Sequence, residues 1–184
     1  MSFESGKNMA GIGALLLVIG SFVPFLSLVG IILLLIGLRD LAQHYNDNSI
    51  FQNGLYALIF GLIGIVAAGL VLVSFFLGGF LLGGGFLGLA GIILALVVVF
   101  IFYILMAVYF RRAFDSLANK SEQGMFRTAG LLLFIGAILT IVIIGLVLIF
   151  VAWILATVAF FSMTPATTPQ LSTPPPPPPP PPQA

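Results

Sequence analysis

Three stretches without a single charged residue make up most of this chain. They run from Met9 to Leu38, from Ile50 to Phe110 and from Thr128 to about Met163. Each far exceeds the roughly 20 apolar residues that carry a helix across a ~30 Å hydrocarbon core. A closed β-barrel would need alternating apolar and polar residues in segments of about ten. Runs such as Leu94-Ala95-Leu96-Val97-Val98-Val99-Phe100 do not alternate, so the pattern predicts helices.

The middle stretch divides at Gly78-Gly79 and Gly83-Gly84-Gly85, since glycine serves turns and weakens helix interiors. One helix is predicted from about Ile50 to Leu77 and the next from about Phe86 to Phe110. The first stretch would be about 45 Å long as one helix. Pro24, near its middle, removes a backbone donor and clashes with the preceding turn. A hairpin of two short helices is favoured over one kinked helix. The third stretch would be about 54 Å long and offers only Gly145 as a weak break. Here a hairpin is set against one long tilted helix. Leu15-Leu16-Leu17-Val18-Ile19-Gly20 echoes Leu131-Leu132-Leu133-Phe134-Ile135-Gly136, which favours a hairpin in both places. The predicted fold is all-α: a polytopic transmembrane bundle over 1–163, with six helices favoured over four or five.

Composition supports lipid as the surrounding medium. The chain is 61% hydrophobic, and only 6% of its 184 residues are charged. Soluble domains carry about 25% charged residues. A net charge of +1 provides no footprint for nucleic acid. Lys7 ahead of Ala10–Gly20 imitates a secretory signal, but Ser21-Phe22-Val23-Pro24 offers no small-x-small cleavage site, so a retained segment is expected.

The basic residues are Lys7, Arg39, Arg111, Arg112, Lys120 and Arg127. Two spanning helices separate the Arg39–Asp47 loop from the Arg111–Arg127 loop, which places both on one side. The positive-inside rule makes that side cytoplasmic. With hairpins at both ends, Lys7 and the C-terminus join it. Ser49-Ile50-Phe51-Gln52 fits a capping box, and Asn119 with Glu122 could form another. Phe110, Phe114 and Leu117 share a helical stripe that leaves out Arg111, Arg112 and Asp115, predicting an amphipathic continuation of the fourth helix. Arg39, Arg111, Arg112 and Trp153 are the candidate anchors at the membrane interface.

From Thr164 the chain turns to Thr, Pro, Ser and Gln and includes nine consecutive prolines, Pro174 to Pro182. A disordered tail over 164–184, extended as polyproline II, is predicted. Pro174, Pro178 and Pro182 are its candidate contacts with a polyproline-recognising protein.

Catalytic chemistry is not visible. The absence of cysteine excludes thiolate metal sites and cysteine nucleophiles, and the single histidine, His44, cannot form a cluster. No ionisable residue lies inside the apolar stretches, which disfavours proton-coupled transport. No cofactor, metal or catalytic residue is assigned. Gly84 with Gly88, and Ala57 with Gly61, have the spacing of close helix packing, and homo-oligomerisation is one use of it.

The segments Leu38-Arg39-Asp40-Leu41-Ala42-Gln43-His44-Tyr45-Asn46-Asp47 and Ser49 to Tyr56 resemble a mainly archaeal membrane family, the domain of unknown function 996. Met125 to Gly130, Ile135 to Thr140 and Ala152 to Ser162 are similar to it too. The resemblance implies a polytopic membrane protein and brings no activity and no functional residue. Some similar proteins end in a zinc ribbon after a proline-rich linker, which would favour a cytoplasmic C-terminus; this chain, without cysteine, departs from that pattern. The expected function is a non-enzymatic membrane scaffold or interaction protein of the cell membrane. The alternatives are a passive channel or facilitator for a small neutral or apolar solute, and an accessory subunit of a membrane complex.

Overall fold

The computed structural model describes residues 3–77 and 86–165. Among them are six α-helices: α1 (Phe3–Gly20), α2 (Pro24–His44), α3 (Asn48–Ser74), α4 (Phe86–Ser121), α5 (Gly124–Leu139) and α6 (Ile144–Ser162). The glycine-rich link over 78–85 and the tail from residue 166, with Pro174, Pro178 and Pro182, lie outside the described residues. Gly84, one member of the Gly84–Gly88 pairing, falls there as well.

The first apolar stretch breaks at Pro24, which occupies the first turn of α2, where its missing N–H would have no helical partner anyway. The third stretch breaks earlier than Gly145. A 3-10 turn, Thr140–Val142, ends α5, and Ile143 turns the chain at φ 59°. That region is disfavoured for a β-branched residue. Gly145 sits just inside α6, where a Cβ would collide with the Gly136 carbonyl and the Thr140 nitrogen. In the middle stretch, a π-type turn over 75–77 follows α3, and α4 begins beyond the glycines.

Five segments are long and apolar enough to cross a membrane: Phe25–His44, Asn48–Leu77, Gly91–Ser121, Gly124–Val142 and Ile144–Ser162. The short α1 carries Glu4 and Lys7 near its start and packs along α2 instead. Each helix neighbours the next in chain order, and α6 returns to α1.

Small residues fasten the α1–α2 hairpin. Gly6, Ala10, Gly13 and Gly20 on α1 face Gly37, Gly30 and Ser27 on α2. A Cβ on Gly30 would lie 2.8 Å from the Gly13 carbonyl oxygen. Steps of three and four residues keep these positions on one face, as in close-packed membrane helices. Ala57 is buried, and Gly61 lies against Met106, so that pair packs α3 onto α4 within the chain.

Two capping expectations are corrected. Asp47, not Ser49, caps α3: the Ser49 N–H donates to Asp47 Oδ1 at 3.0 Å, while the Ser49 hydroxyl bonds Ser116 at 3.1 Å. Asn119 lies inside α4 and accepts from Arg127 Nη2 at 2.8 Å, and no side chain caps α5. The expected continuation of α4 is present, with Phe110, Phe114 and Leu117 fully buried.

Burial is concentrated at the end of the bundle where α1, α3 and α5 begin. Phe110, Phe114, Phe126 and Phe160 form its centre, with Trp153 edge-on to Phe110 and Phe114 at 5.4 and 6.1 Å. The opposite half exposes much of its apolar surface.

Candidate functional site

All eleven charged residues (six basic, five acidic) stand at the packed end. Short links, Tyr45–Asp47 and Glu122–Gln123, join α2 to α3 and α4 to α5 there. Lys7 Nζ donates to the Met163 carbonyl at 3.0 Å, and Gln123 Nε2 donates to the Ser162 carbonyl at 2.8 Å. These bonds hold the start of α1 and the end of α6 beside the charged links. Lys7 also meets Glu4 at 3.5 Å, Arg111 meets Asp115 at 3.7 Å and Lys120 meets Asp47 at 3.9 Å. Such partly exposed pairs are worth under about 1 kcal/mol each. Hydrogen bonding from Ser49, aided by the Lys120 charge, holds the Asp47 carboxyl below its ordinary value against some desolvation.

His44 packs its ring against Phe3 at 4.9 Å and Tyr45 at 5.1 Å. Burial pushes the Tyr45 phenol above its usual range, and its hydroxyl has no partner among the described residues. Asp40 is buried against Gly6, and one of its carboxylate oxygens has no partner among the described residues. Among the described residues no three His, Asp or Glu side chains converge as a metal site.

The candidate anchors separate into different settings. Arg111 lies 5.3 Å over Phe134 and Arg112 lies 5.3 Å over Tyr109. Trp153 is half-buried inside the aromatic cluster. Arg39 is exposed and takes part in none of the three ion pairs. It lines a polar pocket of about 490 Å³ between α2 and α3 with Gln43, Asn48, Gln52 and Tyr56. Tyr56 then meets Tyr109 at 5.4 Å, so a row of polar and aromatic side chains runs from Arg39 to Arg112.

Farther from the charged end, a cavity of about 350 Å³ opens among the first four helices. Leu17, Ile31, Leu58, Ile65 and Met106 line it, and among the described residues Ser27 and Tyr103 carry its polar side-chain groups. Tyr103 also lines a second apolar cleft with Thr140, at the α5–α6 turn. Among the described residues that line these spaces, none also lines the pocket around Arg39.

A family model described as a protein of unknown function, DUF996, matches residues 26–154. The chain belongs to the DUF996 family. It is 30% identical over 167 residues to an uncharacterised protein of Methanocaldococcus jannaschii, MJ1644, with 89% of this chain and 94% of that relative covered. No solved structure matches. The matched region of this DUF996 chain contains Arg39, Arg111, Arg112 and Trp153, and it starts two residues after Pro24.

Sequence reasoning passed over the α1 seam and the tyrosine row. The seam had a readable signal, small residues spaced by three and four from Gly6 to Gly13. The row had none, because Tyr56 and Tyr109 meet only once α3 and α4 pair.

Proposed function

We propose that the protein is a non-enzymatic integral membrane scaffold, with its charged end and both ends of the helical region on the cytoplasmic side. One observation supports this most. Every charge lies at one end, while the opposite half exposes Phe22, Phe25 and Ile143 at 78, 72 and 75%. Water would penalise that half by about 25 cal/mol for each Å² left apolar and exposed. Hydrocarbon imposes no such penalty. Six basic residues at the charged end orient it towards the cytoplasm.

Close packing at the charged end and the apolar lining of the cavities support a scaffold over a water-filled channel. A channel needs polar groups to replace ion or solute hydration. The tail from Thr164 leaves beside the charged links, which suits recruitment of a polyproline-binding partner.

The chain has no cysteine, so single thiols report sidedness cleanly. In reconstituted vesicles, Lys120→Cys should react with a membrane-impermeant maleimide only from the cytoplasmic face, and Gly83→Cys only from the other. Reaction of both from the same face would remove this reading. Pull-downs with and without residues 164–184 test the scaffold role: unchanged partners would take the tail out of the account.

A further inference from the structure

We infer that only the α3–α4 hairpin reaches the far face of the bilayer, and that the α1–α2 and α5–α6 hairpins are re-entrant, ending within the hydrocarbon. This rests on the membrane reading above. The depth of each tip is fixed by its contacts. Thr140, at the α5–α6 tip, lines one cleft with Tyr103. Tyr103 stands eight residues from Arg111 along α4, about 12 Å, and seventeen residues from Phe86, about 25 Å. Ile141 lines the same cleft with Ile93, so the tip stands between Tyr103 and Ile93, about 12 to 27 Å from Arg111; that is inside the ~30 Å hydrocarbon thickness, and α4 continues beyond it to Phe86. Phe22, at the α1–α2 tip, packs edge-on against Phe150 at 6.2 Å. Phe150 is six residues back from the start of α6, about 9 Å nearer the charged end, so that hairpin reaches no deeper.

Farther along the two long helices, Leu70, Leu72, Val73, Phe75 and Leu94 are all exposed.

The tips themselves suit hydrocarbon. Ser21-Phe22-Val23-Pro24 and Thr140-Ile141-Val142-Ile143 carry no charge. A turn inside lipid must satisfy its own backbone, because each unpaired group costs several kcal/mol. The N–H groups of Ser21, Phe22 and Val23 return to the Val18 and Ile19 carbonyls, and Pro24 has no N–H to satisfy. The Ile143 N–H returns to the Thr140 carbonyl. Side chains cover further carbonyls: Ser21 Oγ donates to Leu17 and Thr140 Oγ to Gly136, at 3.4 and 2.8 Å.

Phe22→Cys and Ile141→Cys, each in the reconstituted full chain, test this. Neither should react with an aqueous maleimide from either face while Gly83→Cys reacts fully from outside. Nitroxides at both sites should be relaxed by oxygen and shielded from a nickel chelate. Labelling of Phe22→Cys or Ile141→Cys from the outer face, with Gly83→Cys and Lys120→Cys behaving as expected, overturns the re-entrant hairpins and leaves the membrane reading intact. If Gly83→Cys and Lys120→Cys themselves fail, the membrane reading fails first.

Along the α2–α3 seam the geometry points to a site for one anionic phospholipid, and this too rests on the membrane reading. Arg39 is the cation there without an acidic partner among the described residues, and Gln43, Asn48 and Gln52 add donors beside it. The apolar cavity begins one turn deeper: Leu55 lines the polar pocket and Leu58 the cavity. A phosphate on Arg39 would send its chain along Leu58, Leu62 and Ile65, the order in which a lipid presents head and tail. This seam is also the least closely packed of the neighbouring helix pairs.

Spin-labelled phosphatidylglycerol and phosphatidylcholine, compared in vesicles holding the full chain, read the site through the fraction of immobilised lipid. Phosphatidylglycerol should be preferred about tenfold, as one charge-assisted hydrogen bond allows. Arg39→Gln should abolish the preference, while Arg39→Lys and Arg111→Gln keep it. Equal immobilisation of both lipids, an unchanged preference in Arg39→Gln, or displacement by inorganic phosphate would each overturn a lipid site. Flotation of each variant with the vesicles separates loss of the site from loss of insertion.

Discussion

Asp47 shows how a single side chain sets a helix boundary. Its carboxylate accepts the Ser49 N–H, satisfying one of the free donors at the start of α3. Replacing it with Ala should destabilise the protein by about 1 kcal/mol, while Asn, also a good cap, should cost little. Because folding lowers the Asp47 pKa, its contribution is complete above the unfolded value of about 3.9 and is lost as pH falls through the lower folded value. Thermal unfolding in micelles should show that acid loss in the parent and not in Asp47→Asn. Tyr45 is the opposite case, a buried hydroxyl without a partner among the described residues. Tyr45→Phe should raise stability by about 1 kcal/mol, and a clear fall in melting temperature would show that the hydroxyl is satisfied after all. The Ser49 box was legible as Ser-x-x-Gln, yet Asp47 two residues earlier competes for the same N–H groups and wins. The sequence pattern does not rank the two.

At the scale of the helix, glycines divide into those that allow contact and those that do not. A Cβ on Gly13 would strike the backbone nitrogen of Leu34, whereas one on Gly69 meets nothing within 4 Å. Gly13→Ala should therefore cost about 1–3 kcal/mol through overpacking. Gly69→Ala should gain about 0.5–1 kcal/mol from helix propensity. Equal responses in the two variants, measured by unfolding in sodium dodecyl sulfate, would contradict the seam. Pro24 made the first hairpin legible because proline acts on the backbone whatever surrounds it. The second was harder to read. Its turn, Thr140 to Ile143, consists of β-branched residues with no turn signature, and Gly145 marks it only through contact with Gly136.

For the whole molecule, the separation of charge from apolar surface was legible from the sequence, and six helices follow from three apolar stretches each folded once. The unequal depth of the hairpins was not legible, because it depends on which residues come together across helices: Thr140 with Tyr103, and Phe22 with Phe150. That Arg39 joins none of the three ion pairs is a tertiary fact of the same kind. The central claim is that hydrocarbon surrounds the exposed apolar half. Alkaline carbonate extraction of membranes carrying the full chain tests it most directly. The protein should stay in the pellet and be released only by detergent. Recovery as a monodisperse species in detergent-free buffer would contradict the account.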